Sequence, residues 1–124
     1  MARRQKIPDK IRKQIEIAAD HCCSYCRSPL LAGAAMVVEH IVPLASGGTN
    51  ELSNLCLSCY RCNQFKGTKI TATDPYSSKD VVLFNPNRQK WADHFTWSKN
   101  GLEIIGLSES ARATIDLLSV NSEC

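Results

Sequence analysis

The chain has 124 residues, of which 44% are hydrophobic and 22% charged, and its net charge is +3. This is the length of one domain and the composition of a globular one, which excludes a disordered or fibrous protein. No apolar run approaches the roughly 20 residues that span a bilayer, and none follows the basic start, so we expect a cytoplasmic protein without a secretory signal.

Charge is distributed unevenly along the chain. Residues 1–13 carry six basic side chains against Asp9, a net charge of +5. Residues 101–124 carry Arg112 against four acidic side chains, a net charge of −3. The basic segment is compatible both with a surface that lies along a polyanion and with a solvated helix face.

Hydrophobic periodicity predicts a helix, a hairpin and a second helix in the first half of the chain. Apolar residues recur at helical spacing after Pro8, which predicts an amphipathic helix over residues 8–21. Residues 36–42 are rich in β-branched side chains and predict a strand. The ASGGTN stretch at 45–50 indicates a turn and hence a hairpin, and a short helix should end near Gly67.

The second half begins with a polar stretch at 71–80, which we interpret as a linker. Residues 81–84 and 101–107 are strand candidates, and Ser108 should cap a helix that runs to about Leu118. This order of elements predicts an α+β fold in one domain over residues 1–124. Its expected parts are a basic N-terminal helix (1–21), a zinc-stapled core (22–70) and a C-terminal extension (71–124).

Four of the seven cysteines are arranged as two CxxC pairs. They are Cys23 with Cys26 and Cys59 with Cys62. A short turn lets each pair place two sulfurs on one metal, and two pairs complete the tetrahedral set that structural zinc prefers. Buried or redox-active thiols are the alternative, which we disfavour. Disulfides would need an oxidising compartment, and nothing in the sequence directs the chain to one. Four thiolates leave no open position, so this metal would stabilise the fold without taking part in chemistry.

A second group of polar residues lies between the two pairs. Glu39 and His40 end the predicted strand beside a Gly-Gly loop, Asn54 precedes the second pair and Asn63 follows it. A single Glu-His would be weak evidence of function. Together these residues offer a carboxylate, an imidazole and amide oxygens, a set suited to one hard cation and one base.

The segment VEHIVPLASGGTNELSNLCLSCYRCNQFKG, residues 38–67, resembles the HNH nucleases of the ββα-metal class. That pattern runs acid-His, Ile-x-Pro, a Gly-Gly loop, Asn-Leu, then CxxC followed by His or Asn and Lys-Gly. Residues 83–97, 104–107 and 111–114 resemble the C-terminal extension of a bacterial and cyanobacterial HNH subgroup with an LFNP-type motif. The resemblance implies a ββα-metal core and metal-dependent hydrolysis of a nucleic-acid phosphodiester.

The resemblance also implies a role for each polar residue. His40 matches the general base, and Glu39 and Asn63 match the ligands of a catalytic divalent cation, Mg²⁺ or Mn²⁺. Asn54 matches the middle Asn, which orients the loop beneath the base. Glu39 stands where many members have Asp, and Asn63 makes this an H-N-N variant, so the metal preference stays open. We expect a DNA substrate, cut by nicking one strand.

Three basic residues near the second CxxC pair are candidates for contacts with the phosphates that flank the cut. They are Arg61, Lys66 and Lys69, and simple solvent exposure is the alternative for each.

Two functions besides a nuclease are compatible with parts of the sequence. One is a zinc-stapled DNA-binding module without catalysis, in which Glu39, His40 and Asn63 are vestigial. The other is a thiol-redox or metal-storage protein, which would not require the Glu-His pair or the Gly-Gly loop. No dimer signature is visible, so we assume a monomer.

Overall fold

A computed structural model describes residues 7–30 and 36–121; Arg3, Arg4 and Lys6 of the basic segment lie outside these ranges. The helices are α1 (Asp9–Ala18), α2 (Tyr60–Lys66), α3 (Trp91–His94) and α4 (Glu109–Leu118). The strands are β1 (Met36–His40), β2 (Leu55–Cys59), β3 (Thr71–Thr73), β4 (Asp80–Val82), β5 (Phe95–Trp97) and β6 (Ile104–Gly106). Short antiparallel hairpins alternate with helices along the chain, so the predicted α+β class is confirmed.

The hairpin of β1 and β2 forms the centre of the molecule. Its strands are antiparallel, with Glu39 opposite Cys56 and His40 opposite Leu55. The helix α2 follows β2 without a break and packs against both strands. Val38 and Leu57, also paired, are buried in the hydrophobic core. This ββα unit brings the end of β1 close to the second CxxC pair.

The loop between β1 and β2 is shaped by a close backbone approach at Gly48. A Cβ atom at this position would lie 1.7 Å from the carbonyl oxygen of Val42, so any other residue would force the loop apart. The Gly48 amide donates to the carbonyl of Pro43 at 2.9 Å. The Gly-Gly pair therefore returns the chain towards the strand end, as the turn-like composition predicts.

Two elements end earlier than the sequence predicts. The helix α1 ends at Ala18 because Asp20 and His21 both have a φ of 55°, a left-handed conformation that stops a helix. The strand β1 ends at His40, and the next amide, of Ile41, donates to the Asn54 carbonyl at 2.9 Å.

The predicted linker at 71–80 is wrong, because β3 and β4 pair there as a hairpin. Asp74, at the turn, is fully buried and accepts two hydrogen bonds from Arg112 of α4, at 2.8 and 3.0 Å. This ion pair joins the hairpin to the final helix. Ser108 caps α4 as predicted, since its hydroxyl accepts from the Ala111 amide at 3.1 Å.

Aromatic residues of the extension pack against the core. Phe84 and Phe95 are buried and contact each other edge-on at 4.9 Å between ring centroids. Trp91 stacks on Phe95, and its indole nitrogen donates to the Tyr25 carbonyl at 3.0 Å. The extension is thereby attached to the first CxxC turn.

Candidate functional site

The four predicted zinc ligands lie together. The Sγ atoms of Cys23, Cys26, Cys59 and Cys62 are all within 4.8 Å of one another. Cys26 Sγ and Cys59 Sγ are 3.8 Å apart. With Zn–S bonds of about 2.3 Å, a tetrahedron of sulfurs has edges of roughly 3.8 Å, so this donor set fits one zinc ion.

Local backbone structure holds these sulfurs in place. Cys59 is the N-cap residue of α2, and its sulfur accepts from the Cys62 amide at 3.4 Å. In the first pair, the Cys23 amide donates to the Ser28 carbonyl at 2.8 Å, which closes the turn. The site therefore joins that turn to the start of α2, across the hairpin.

Close packing of the sulfurs shifts their proton affinities. Hydrogen bonds from Cys23 lower the pKa of Cys59 to about 7 and lower the pKa of Cys26 further. The pKa values of Cys23 and Cys62 are raised, chiefly because their sulfurs hydrogen-bond other members of the cluster. Zinc binding would release the protons that the four sulfurs still carry.

The predicted base, His40, is at the end of β1 and is 8% exposed. Its Nε2 atom lies 2.6 Å from Oδ1 of Asn50, an exposed residue of the loop. If Oδ1 accepts, the Nε2 proton is fixed there, and the lone pair of the neutral ring lies on Nδ1. Asn50 was not among the predicted site residues, and its position in a turn of the type ASGGTN gave no indication of this contact.

The side chain of Asn54 holds the loop between β1 and β2 in place through three hydrogen bonds. Its Oδ1 accepts from the Val42 amide at 2.8 Å, and its Nδ2 donates to the carbonyls of Val42 and Thr49, at 2.9 and 2.8 Å. These bonds tie the residues after His40 to those just before β2. This geometry suits a residue that orients the loop, the role that the family resemblance implies.

Glu39 lies next to His40 in β1, but its carboxylate is 3% exposed and surrounded by protein groups. The Tyr25 hydroxyl donates to Oε2 at 2.7 Å, and the Cys56 sulfur lies 3.5 Å from the same oxygen. Burial, together with the charge of Glu39, raises the pKa values of Tyr25 and Cys56. Both groups therefore stay protonated and stabilise the carboxylate.

The second carboxylate oxygen faces Lys66. Its ammonium, 1% exposed, lies 3.1 Å from Glu39 Oε1 and 3.0 Å from the Ile41 carbonyl oxygen. This corrects the prediction that Lys66 contacts phosphates, because the side chain points from α2 into the core. Oε1 has no hydrogen-bond partner in the described residues, although Lys66 balances its charge.

The other predicted residues lie on or after α2. Asn63 is half-buried, one helical turn before Lys66. Arg61 donates to the Ser119 carbonyl at 2.6 Å and lies over the ring of Phe65, so it joins α2 to the end of α4. Lys69 follows the helix and is exposed, as a phosphate contact requires.

Tyr25 is a further site residue that the sequence analysis missed. It lies inside the first CxxC pair. The pattern Cys-x-Tyr-Cys contains no feature that predicts a hydroxyl aimed at Glu39, because 14 residues separate the two. Only the packing of the zinc turn on the hairpin brings them together.

The family model described as HNH endonuclease matches residues 23–69. Residues 23–69, which match this family, are called the HNH domain below. A CRISPR-associated endonuclease Cas9 from Corynebacterium diphtheriae is 40% identical over 68 residues, which cover 48% of this chain and 6% of that protein. No solved structure matches significantly.

The HNH domain includes every residue of the two groups described above. The matched segment runs from the first zinc cysteine to Lys69, and the ββα unit lies within it. The likeness of residues 83–97 to the extension of an HNH subgroup falls outside the matched segment and stays a prediction. Within the described residues, the helices are too short or too polar to cross a lipid bilayer.

Proposed function

We propose that the chain is a metal-dependent endonuclease that hydrolyses DNA phosphodiester bonds, with His40 as the general base. The HNH domain supports a nuclease, and one contact carries the assignment of the base. That contact is the 2.6 Å hydrogen bond between His40 Nε2 and Asn50 Oδ1, which holds the ring at the end of β1. Asn54 in turn holds the loop that carries Asn50.

The proposed reaction uses the nitrogen that Asn50 leaves free. Nδ1 of His40 takes a proton from water, and the water oxygen attacks phosphorus. The bond between phosphorus and the 3′ oxygen breaks, and the 3′ oxygen leaves with the electron pair and takes a proton from solvent. His40 then returns its proton to solvent. The products are a 5′-phosphate and a 3′-hydroxyl, with one water consumed. General-base assistance of this kind contributes about 10²–10⁴-fold to a rate.

A divalent cation, Mg²⁺ or Mn²⁺, would neutralise charge on the phosphate and the leaving oxygen when bound. We propose Glu39 and Asn63 as its ligands, since carboxylate and amide oxygens suit a hard cation. Glu39 Oε1, which has no hydrogen-bond partner among the described residues but faces the Lys66 ammonium, is the oxygen that we assign to this purpose. Because Lys66 already balances its charge, a cation there must compete with the ammonium.

That ion pair also favours a second candidate function, a zinc-stapled module that binds nucleic acid without cutting it. A carboxylate already paired with a buried ammonium needs no metal for charge balance. In that case Glu39 would be a structural residue, and the domain would retain the HNH fold without its chemistry.

Plasmid nicking separates these functions. Zinc-loaded protein with Mg²⁺ or Mn²⁺ should convert supercoiled plasmid to open circles, and His40→Ala should slow this about 10²–10⁴-fold. The matched control is His21→Ala, because His21 is exposed and lies outside both groups of site residues. Equal nicking by wild type and His40→Ala would refute the assignment of the base. Plasmid binding without nicking in either metal would establish the non-catalytic module.

A further inference from the structure

A groove of about 800 Å³ is lined in part by β2. Its floor is formed by residues 55–57, one wall by α1, and the other by residues 84–92 of the extension. The groove therefore lies where the extension meets the HNH domain. Neither the nuclease chemistry nor the zinc site uses it.

The charged side chains that line the groove are all positive. Arg27, Arg88 and Lys90 line it, and none of the described residues that line it is acidic. Among the described residues, none of these three cations is in a salt bridge with a carboxylate within 4.0 Å, and Arg88 and Lys90 are exposed. Three uncompensated cations along a channel attract a polyanion.

The wall of the groove is fastened to the segment that faces the proposed base. Asn87 donates from Nδ2 to the carbonyls of Leu52, Ser53 and Leu55, at 3.1, 3.0 and 2.8 Å. Leu55 pairs with His40 across the hairpin. A strand held in the groove would therefore lie one β-strand away from the reacting centre.

Two aromatic rings line the wall: Phe84 is buried, and Trp91 is already covered. Phe95 stacks on Trp91 at 5.2 Å, and the guanidinium of Arg27 lies 4.8 Å from the indole centroid. Base stacking on this ring would require both contacts to break. The groove is thus suited to contacts with phosphates, which position a nucleic acid without reading its sequence.

We propose that this groove binds the backbone of a nucleic-acid strand that flanks the cut, through Arg88 and Lys90. The statement that this strand flanks the cut rests on the proposed function, whereas binding in the groove does not. An acidic polypeptide is the competing occupant, because it would meet the same cations. Phosphates are favoured because residues 55–57, which line the groove, belong to the segment that matches the HNH endonuclease family.

The test is fluorescence anisotropy with a labelled 20-nucleotide oligo(dT) and zinc-loaded protein, without added Mg²⁺ or Mn²⁺. Arg88→Gln with Lys90→Gln should raise Kd about 10-fold at 0.1 M salt, and should reduce the slope of log K against log salt by about 1.4. The matched control, Lys79→Gln with Lys99→Gln, removes the same charge from exposed positions outside the groove and should change Kd less than twofold.

Three outcomes would overturn the inference. They are an equal loss of binding in both double variants, an unchanged salt slope in the groove variant, and displacement of the oligonucleotide by an equal concentration of 20-residue poly-glutamate. Plasmid nicking keeps the two proposals apart. If wild type binds the oligonucleotide in the groove but does not nick, only the proposed function fails. If wild type nicks and the groove variant nicks with unchanged KM, only the groove fails.

Discussion

The buried ion pair between Lys66 and Glu39 permits a quantitative prediction. Lys66→Met removes the ammonium and leaves a flexible apolar side chain in most of its space. Glu39, 3% exposed, then keeps the Tyr25 hydroxyl as its one short hydrogen bond in the described residues. Removing one partner of a buried pair costs about 3–5 kcal/mol, and we expect that decrease in the free energy of unfolding. It is a large share of the 5–15 kcal/mol typical of a domain.

Urea unfolding of zinc-loaded protein, followed by tryptophan fluorescence, measures this cost. The matched control is Lys69→Met, which removes the same charge from an exposed position and should change stability by about 0.5 kcal/mol or less. Glu39→Gln combined with Lys66→Met removes both charges and should recover most of the loss, because no uncompensated ion stays buried. Indistinguishable results for the variants Lys66→Met and Lys69→Met would refute the buried pair.

The same variants test the proposed cation ligand. With the ammonium gone, Mg²⁺ should stabilise Lys66→Met more than wild type, since a ligand that binds the folded state stabilises it by mass action. The double variant with Glu39→Gln should show no such gain. Equal stabilisation of all three proteins by Mg²⁺ would show that the cation does not bind at Glu39.

Three further changes have defined outcomes. Cys59→Ser should lose the bound zinc and the cooperative unfolding transition, whereas Cys22→Ser should keep about one zinc per chain by metal analysis. Asn50→Ala removes the amide oxygen that accepts the hydrogen bond from His40, so the ring is no longer held in place. The kcat for nicking should then fall about 10-fold with KM unchanged. An unchanged kcat would exclude this positioning role. Hydrogen bonds from Arg112 hold the pKa of Asp74 well below its usual range. The ion pair therefore stabilises the folded protein fully above about pH 4, and this contribution is lost as the pH falls through the lowered pKa. Arg112→Met should therefore destabilise the protein in urea at pH 7 and progressively less at pH values below 4; an equal effect at pH 7 and pH 2 would contradict the pair.

The sequence by itself was enough to predict the zinc cysteines, the α+β class, the hairpin before the second CxxC pair and the helix capped by Ser108. Each of these depends on residues close together in the chain. A CxxC turn places two sulfurs on one metal, and a serine hydroxyl caps a helix one turn away. Such features hold in any fold that keeps the local backbone conformation.

Only the tertiary structure decided where side chains from distant segments meet. The sequence suggested that Lys66 is a surface cation, but the packing of α2 on the hairpin turns it towards Glu39, 27 positions away. Both side chains are buried there, and a buried charge needs an opposite charge beside it. Residues 81–84 were a strand candidate, but the strand at 71–73 is too short and polar to be predicted alone. It forms because it pairs with the strand at 80–82 and because Asp74 pairs with Arg112. In both cases the partner, rather than the local sequence, supplies the free energy.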